Sequence, residues 1–189
     1  MADRLSMRAF HAKQHFDDPA TARAGLPGVP GLVKRTILRS KAEPTLYFVQ
    51  TFVDGDAQLG DIECDIVFDE TADEGVEADD SDPWSFHVTV HVKPGGASIY
   101  EQWKITEGEG QRAARGFIKR TLLRAKSPAG VYYYQSFWES EAACQAYSQS
   151  EAFTSAFERL NPAAAFARPM QRHDCEIVLD LTACTMPAQ

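Results

Sequence analysis

The sequence of this chain contains an internal repeat, which limits the folds it can adopt. Three pairs of segments match in the same order along the sequence: residues 10–16 with 86–92, residues 31–54 with 116–139, and residues 64–72 with 175–183. The middle pair aligns without gaps and is identical at ten of 24 positions. Because segments that recur in the same order indicate a repeated structural unit, we predict two copies of one fold.

Each copy is predicted to contain four strands. Aromatic and β-branched residues dominate LYFVQTFV and VYYYQSFW, and the turn residues of KAEP and KSPAG precede them, which predicts a β-hairpin in each copy. The segment FHVTVHV alternates, with Val88 and Val90 on one face and His87 on the other. CEIVLDL supplies the fourth strand of copy two, and CDIVFDE supplies that of copy one.

The copies differ in the connections between their strands. In copy two, Ile99 and Trp103 stand at helical spacing in the first connection, and Phe153 and Phe157 do so in the second, after a candidate N-cap at Ser150. Copy two therefore has the βαββαβ order of a ferredoxin-like unit. The connections of copy one are short, so we predict that it has lost either its second helix or both helices.

A sheet without helical cover must bury both faces, so we expect the two sheets to pack against each other. The predicted fold class is α+β, a ferredoxin-like dimeric α/β barrel formed within one chain by duplication. The predicted domains are a degenerate repeat over residues 1–70, an acidic linker over 71–83 and a complete repeat over 84–189. Because the second copy takes the place of a second subunit, we expect a monomer, or a dimer through another surface.

The net charge of −8 comes from a single segment. Residues Asp69–Asp82 include eight acidic and no basic residues, which leaves 19 acidic and 19 basic residues elsewhere. Such a run is typical of a solvated linker, and the balanced remainder predicts no nucleic-acid partner. The basic residues of the predicted strands, such as Arg120 and Arg124, are expected to be exposed or ion-paired.

The composition also argues against a membrane or metal-centred protein. No run of 18 apolar residues predicts a membrane span, and the N-terminal residues lack a signal-peptide core, so we expect a cytoplasmic protein without a membrane partner. The cysteines lack the close pairs typical of zinc and redox sites, so we expect free thiols. They are Cys64, Cys144, Cys175 and Cys184.

The segment Trp138–Phe157, which follows YYYQSF, resembles the antibiotic-biosynthesis monooxygenase (ABM) superfamily of dimeric α+β barrels. Members often carry a tryptophan near the end of strand three, then a helix start rich in Glu and Ser, then a Ser-acid-x-Phe step. The resemblance covers about residues 84–183. It implies the barrel fold and a superfamily that contains both oxygenases and heme-degrading enzymes.

The heme-degrading branch of the superfamily implies an Asn on strand one, a Trp on helix two and a His that binds iron. The matching positions in this chain are Val88, Tyr147 and Phe157. A phenylalanine cannot bind iron, so heme binding or degradation stands as a third hypothesis that would need an atypical site.

The cofactor-free branch oxidises phenols or anthrones to quinones, and the deprotonated substrate itself reduces dioxygen. Trp138 matches the strand-three tryptophan of this branch, whereas Tyr134 and Cys144 replace its Asn and Tyr. The resemblance implies a cofactor-independent monooxygenase-like protein that acts on an aromatic, polyketide- or quinol-like small molecule. The alternative is a non-catalytic ligand-binding or interaction protein of the same fold.

The candidate site lies on one face of the third strand of copy two. Trp138 and Tyr134 are four residues apart and share that face, so they are the candidate catalytic residues of a pocket between sheet and helices. The candidate substrate-binding residues are Val88, Val90, Trp103, Tyr132, Tyr147 and Phe153. The same side chains would also fill a solid aromatic core, and both interpretations stay open.

The histidines of the two first strands occupy equivalent places in the repeat. They are His11 and His15 in copy one, and His87 and His91 in copy two. If Val88 faces the helices, these imidazoles face the barrel interior, together with Gln50 and Gln135. We expect a hydrogen-bonded polar interior there, and a metal site formed by the four imidazoles is the alternative.

Overall fold

A computed structural model describes residues 7–26, 28–55, 59–73, 75, 83–160 and 162–182. Eight antiparallel strands form a closed barrel in the order β1-β3-β2-β8-β5-β7-β6-β4. The strands are β1 (Met7–His15), β2 (Leu32–Ser40), β3 (Leu46–Asp54), β4 (Ile62–Thr71), β5 (Trp84–His91), β6 (Phe117–Ala125), β7 (Val131–Trp138) and β8 (Gln171–Thr182). The helices are α1 (Pro19–Ala24), α2 (Ala97–Arg112), α3 (Glu141–Ser148), α4 (Glu151–Leu160) and α5 (Pro162–Ala165).

Each half of the barrel has the same strand order, which confirms the predicted fold class. The first half runs β4-β1-β3-β2 and the second runs β8-β5-β7-β6, and the halves join through the pairs β2–β8 and β4–β6. Both junctions contain the same hydrogen bond from a threonine hydroxyl to an aspartate: Thr36 donates to Asp180, and Thr121 donates to Asp69. The two sheets are therefore hydrogen-bonded edge to edge as well as facing each other.

The helices of the second half cover the outer face of its sheet. Helix α2 connects β5 to β6, and α3 to α5 connect β7 to β8. The predicted cap is present, because the Phe153 N–H donates to Ser150 Oγ at 3.3 Å. In the first half, the described part of the β3–β4 connection contains no helix, and the described part of the β1–β2 connection contains only the short helix α1.

Helix α2 is turned differently from what its apolar residues suggest. Ile99, which shares helical spacing with Trp103, is 45% exposed. The buried face instead consists of Tyr100, Trp103, Lys104, Glu107, Gly108 and Gln111. This orientation follows from pairing, since the charged residues of the face bond to groups beneath the helix and so avoid the cost of burial without partners.

The start of the acidic run is structural rather than solvated. Strand β4 extends to Thr71, so Asp69 and Glu70 belong to the sheet. Asp69 accepts a hydrogen bond from Lys34 Nζ at 2.7 Å, and Glu70 binds Arg120. The expectation of a solvated linker is therefore wrong at its N-terminal end. Residues 74 and 76–82 lie outside the described residues, and the domain bounds at 70/71 and 83/84 stay a prediction.

No helix in the described part of the chain is long and apolar enough to cross a membrane.

Candidate functional site

A cavity of about 130 Å³ lies between the outer face of the second sheet and helices α2 to α4. Six of the predicted site residues line it: Val88, Trp103, Tyr134, Trp138, Tyr147 and Phe153. Val90 and Tyr132 do not line it, although both are buried nearby. The Tyr132 hydroxyl donates to Glu101 Oε1 at 2.6 Å, which directs it away from the cavity.

The volume of this cavity limits the molecules that fit. A buried cavity of about 150 Å³ can hold benzene, whereas sites for drug-sized ligands are usually about 300 Å³ or larger. The enclosed part of the cavity is therefore large enough for about one aromatic ring. Exposed Met170 and Arg172 are among its lining residues and mark the side that opens to solvent.

The two candidate catalytic residues already have hydrogen-bond partners in the protein. Trp138 is fully buried, stacks on Tyr147 with ring centroids 5.4 Å apart, and donates from Nε1 to Ser136 Oγ at 2.9 Å. The Tyr134 hydroxyl donates to Gln111 Oε1 at 2.9 Å. Both side chains therefore act mainly as ordered walls of the cavity.

The charged side of the cavity was not predicted from the sequence. Lys104 Nζ lies 2.7 Å from Glu107 Oε2 and 3.7 Å from the centroid of the Tyr134 ring. Both charged side chains line the cavity and are almost fully buried. A signal for them exists, because they recur with Tyr100 and Gln111 at helical spacing. That signal is hard to recognise when only apolar residues are used to find the buried face.

Arg120 anchors this charged group from below, on strand β6. Its side chain is fully buried, and Nη1 donates to the Lys104 carbonyl oxygen at 2.8 Å and lies 3.5 Å from Glu107 Oε2. Its Nη2 donates to Glu70 Oε2 at 2.6 Å. Burial acts to raise the pKa of Glu70, but bonds from Arg120 and Arg112 outweigh it and hold that pKa below its usual value.

Gly108 makes room for the Arg120 guanidinium. A Cβ atom at Gly108 would lie 1.5 Å from Nη2 and 2.0 Å from Cζ of Arg120. No side chain larger than hydrogen fits without moving the arginine. The glycine in α2 therefore has a packing role that offsets its poor helix propensity.

One hydrogen-bond donor in the cavity wall has no partner. Trp103 lines the cavity, and its buried Nε1 has no acceptor within the described residues. An unpaired buried donor is costly unless a ligand supplies the acceptor. The Tyr147 hydroxyl donates to the Glu107 carbonyl oxygen at 2.8 Å, and burial raises the pKa of this hydroxyl far above the usual range.

Cys144 also lines the cavity but is not an activated nucleophile. The side chain is 5% exposed, and burial raises the pKa of its thiol to about 11. At neutral pH the sulfur is therefore protonated, whereas nucleophilic cysteines react as thiolates.

The histidines do not converge as a set of four. His11 and His87 stack inside the barrel with centroids 5.1 Å apart, while His15 is exposed at the end of β1 and His91 contacts Arg168. Burial lowers the pKa of His11 to about 3 and that of His87 well below its usual value, so both are uncharged. Within the residues described, no group of three or more His, Cys, Asp or Glu side chains is placed to hold a metal ion.

Comparison with known proteins agrees with this architecture. A candidate monooxygenase from Lactobacillus acidophilus superposes with a TM-score of 0.73 at 9% identity, over 94% of this chain and 96% of its own. An anthrone oxidase-like protein gives 0.65 at 14% identity, over 93% and 92%. A major regulator of staphylococcal pathogenesis gives 0.65 at 13%, over 90% and 98%. At these identities the likeness shows the fold alone.

The sequence comparisons are more selective than the structural ones. No curated protein matches the chain. Residues 85–159 match the family model described as antibiotic biosynthesis monooxygenase. That segment includes β5, α2, the β6–β7 hairpin and the cavity-lining part of α3 and α4. Residues 85–159 are therefore similar to the antibiotic biosynthesis monooxygenase family, and they are part of a barrel whose fold is shared with monooxygenase-like proteins over more than nine-tenths of this chain.

Proposed function

We propose that this protein is a cofactor-independent, monooxygenase-like enzyme that acts on a single-ring phenol or quinol in the cavity of its second half. The observation that carries the proposal is an apolar cavity of about 130 Å³ with a buried Lys104–Glu107 pair and the unpaired Trp103 N–H in its wall. Apolar walls with a few placed polar groups are typical of small-molecule sites.

The proposed reaction begins with loss of the phenolic proton. Glu107 supplies the carboxylate that accepts this proton, and the Lys104 ammonium and the Trp103 N–H stabilise the phenolate. Trp138 and Tyr134 hold the ring flat within the cavity. The electron-rich phenolate then reduces dioxygen, and the protein contributes position and electrostatic stabilisation.

The reaction balances without a cofactor. One ring C–H of the phenol or quinol is replaced by a bond to one oxygen atom of dioxygen, and the ring is left as a quinone. The second oxygen atom leaves as water with the two hydrogens lost from the substrate. The substrate therefore supplies all four electrons, which is why neither a flavin nor a metal ion is required.

Oxygen consumption by metal-free protein tests this function on a panel of single-ring phenols and quinols. We expect Glu107→Gln to lower kcat by about 100-fold, the usual contribution of a general base. Lys41→Met is the control, because Lys41 is exposed in the β2–β3 turn, outside this cavity. Equal rates for wild type and Glu107→Gln would remove Glu107 from the mechanism.

A non-catalytic ligand-binding protein is the second candidate function. It is favoured by the hydrogen bonds that already occupy the Trp138 N–H and the Tyr134 hydroxyl. One experiment distinguishes the two candidate functions, because phenol binding without oxygen consumption would support the second.

The third hypothesis, heme binding, requires a porphyrin to fit a cavity sized for one ring. An unchanged Soret band when hemin is added would exclude it.

A further inference from the structure

A second cavity, of about 280 Å³, lies at one end of the barrel interior. Its floor contains the buried side chains of His11, Phe48 and Val131, and its mouth contains the exposed residues Lys13 and Gln171. The sheet separates it from the cavity of the proposed active site. Adjacent residues of β7 show this, because Tyr133 lines the barrel cavity and Tyr134 lines the other.

Three rings that line the barrel cavity, those of Tyr133, His11 and Phe48, belong to a stack that continues through the buried ring of His87. Ring centroids are 3.7 Å apart for Tyr133 and His11, 5.1 Å for His11 and His87, and 4.0 Å for His87 and Phe48. His11 is 2% exposed, yet its Nδ1 has no hydrogen-bond partner within the described residues. A buried polar atom of this kind normally has a partner, so the floor presents an unused bonding position.

The charge of the lining is opposite in sign to that of the protein. The chain carries a net charge of −8, but the lining contains one lysine, three histidines and no Asp or Glu. Lys13 makes no ion pair with any residue that the structure describes. Its ammonium is therefore available to an anion at the mouth, and its field extends towards His173.

The repeat makes this cavity asymmetric. Equivalent positions in the two halves are occupied by Lys13 and Thr89, by Phe48 and Tyr133, and by Ile62 and His173. Two identical subunits would present identical pairs around their twofold axis. Here each pair differs in charge or polarity, so the lining suits a molecule with one anionic and one apolar end.

We propose that the barrel-end cavity is a binding site for a small organic carboxylate. The carboxylate group lies between Lys13 and the imidazoles of His11 and His173, and the apolar body packs against Phe48 and Val131. A volume of about 280 Å³ is enough for a one-ring carboxylate. The site does not depend on the proposed oxygenase activity, because the two cavities are on opposite faces of the sheet.

Titration with benzoate, followed by calorimetry and by histidine-selective NMR, tests this site. We expect a Kd below about 1 mM, with shifts in the ring signals of His11 and His173. Lys13→Met should raise the Kd by about tenfold or more, because it removes a charge-assisted hydrogen bond. Lys41→Met makes the same change in charge at an exposed lysine outside the cavity and should leave the Kd unchanged.

A cavity-filling variant gives an independent check. Thr89→Phe should abolish benzoate binding, and its circular dichroism spectrum should remain that of the wild type. If Thr89→Phe does not fold, Lys13→Met still tests the site, because Lys13 is exposed. The proposal is overturned by the absence of heat and of histidine shifts up to about 10 mM benzoate. Equal effects of Lys13→Met and Lys41→Met would also overturn it.

Discussion

Replacing Gly108 with alanine should destabilise this protein, although the same change stabilises most helices. In a helix interior, alanine is normally favoured over glycine by about 1 kcal/mol. Here the added Cβ atom would overlap the Arg120 guanidinium, with only 1.5 Å to Nη2. The fully buried arginine has to move, which breaks its bonds to Glu70 and to the Lys104 carbonyl oxygen.

The magnitude follows from the competition between these two effects. Displacing one partner of a buried ion pair costs about 3–5 kcal/mol, and the partial exposure of Glu70 places the value near the lower end. Subtracting the helix-propensity gain leaves a net loss of about 2 kcal/mol in the free energy of unfolding. For a chain of this length that loss lowers Tm by about 6 °C.

Urea denaturation of matched variants measures this effect. Gly110→Ala is the control in the same helix, since its Cβ would lie 3.1 Å from the Ala152 Cβ and touches no charged group, so we expect a change within about 1 kcal/mol. In an Arg120→Met background, Gly108→Ala should have little further cost, because the two changes share one cause. A Gly108→Ala protein as stable as wild type would show that the Arg120 guanidinium is not held against this glycine.

Three further predictions concern acid stability, thiol reactivity and oligomeric state. Because burial lowers the pKa of both His11 and His87, the unfolded chain binds protons that the folded chain cannot. Stability should therefore fall by about 3 kcal/mol per pH unit as the pH drops below about 6.5, and His11→Gln should halve that slope in urea melts. Burial also raises the thiol pKa of Cys64, Cys144 and Cys175, so Ellman's reagent should modify these three only after unfolding, and rapid labelling of the native protein would contradict their placement. We propose a monomer, or a dimer through another surface, since the described strands close into one barrel, and a dimer in light scattering that uses the sheet faces would contradict this.

Much of the fold could be predicted from the sequence because it depends on repeated, alternating segments. The repeat places His11 and Gln50 opposite each other in the first half, and His87 and Gln135 in the second, as the strand register shows. Polarity alternation along β5 correctly separates Val88, which faces the helices, from His87, which faces the barrel interior.

The candidate site was less predictable because it depends on tertiary pairing. Lys104 and Glu107 are buried only because Arg120, a strand residue of another segment, lies beneath them. Composition and apolar periodicity do not contain that information. The volume of the cavity was also unpredictable, since the same aromatic residues fit either a filled core or a pocket, and packing alone decides how much space is left.

Turnover of single-ring phenols under labelled dioxygen is the most direct test of the proposed oxygenase activity. We expect a quinone that contains one atom of oxygen-18, formed by metal-free protein and lost in Glu107→Gln but not in Lys41→Met. Phenols that bind in the cavity and leave without incorporating the label would contradict the oxygenase assignment and support a ligand-binding protein with this fold.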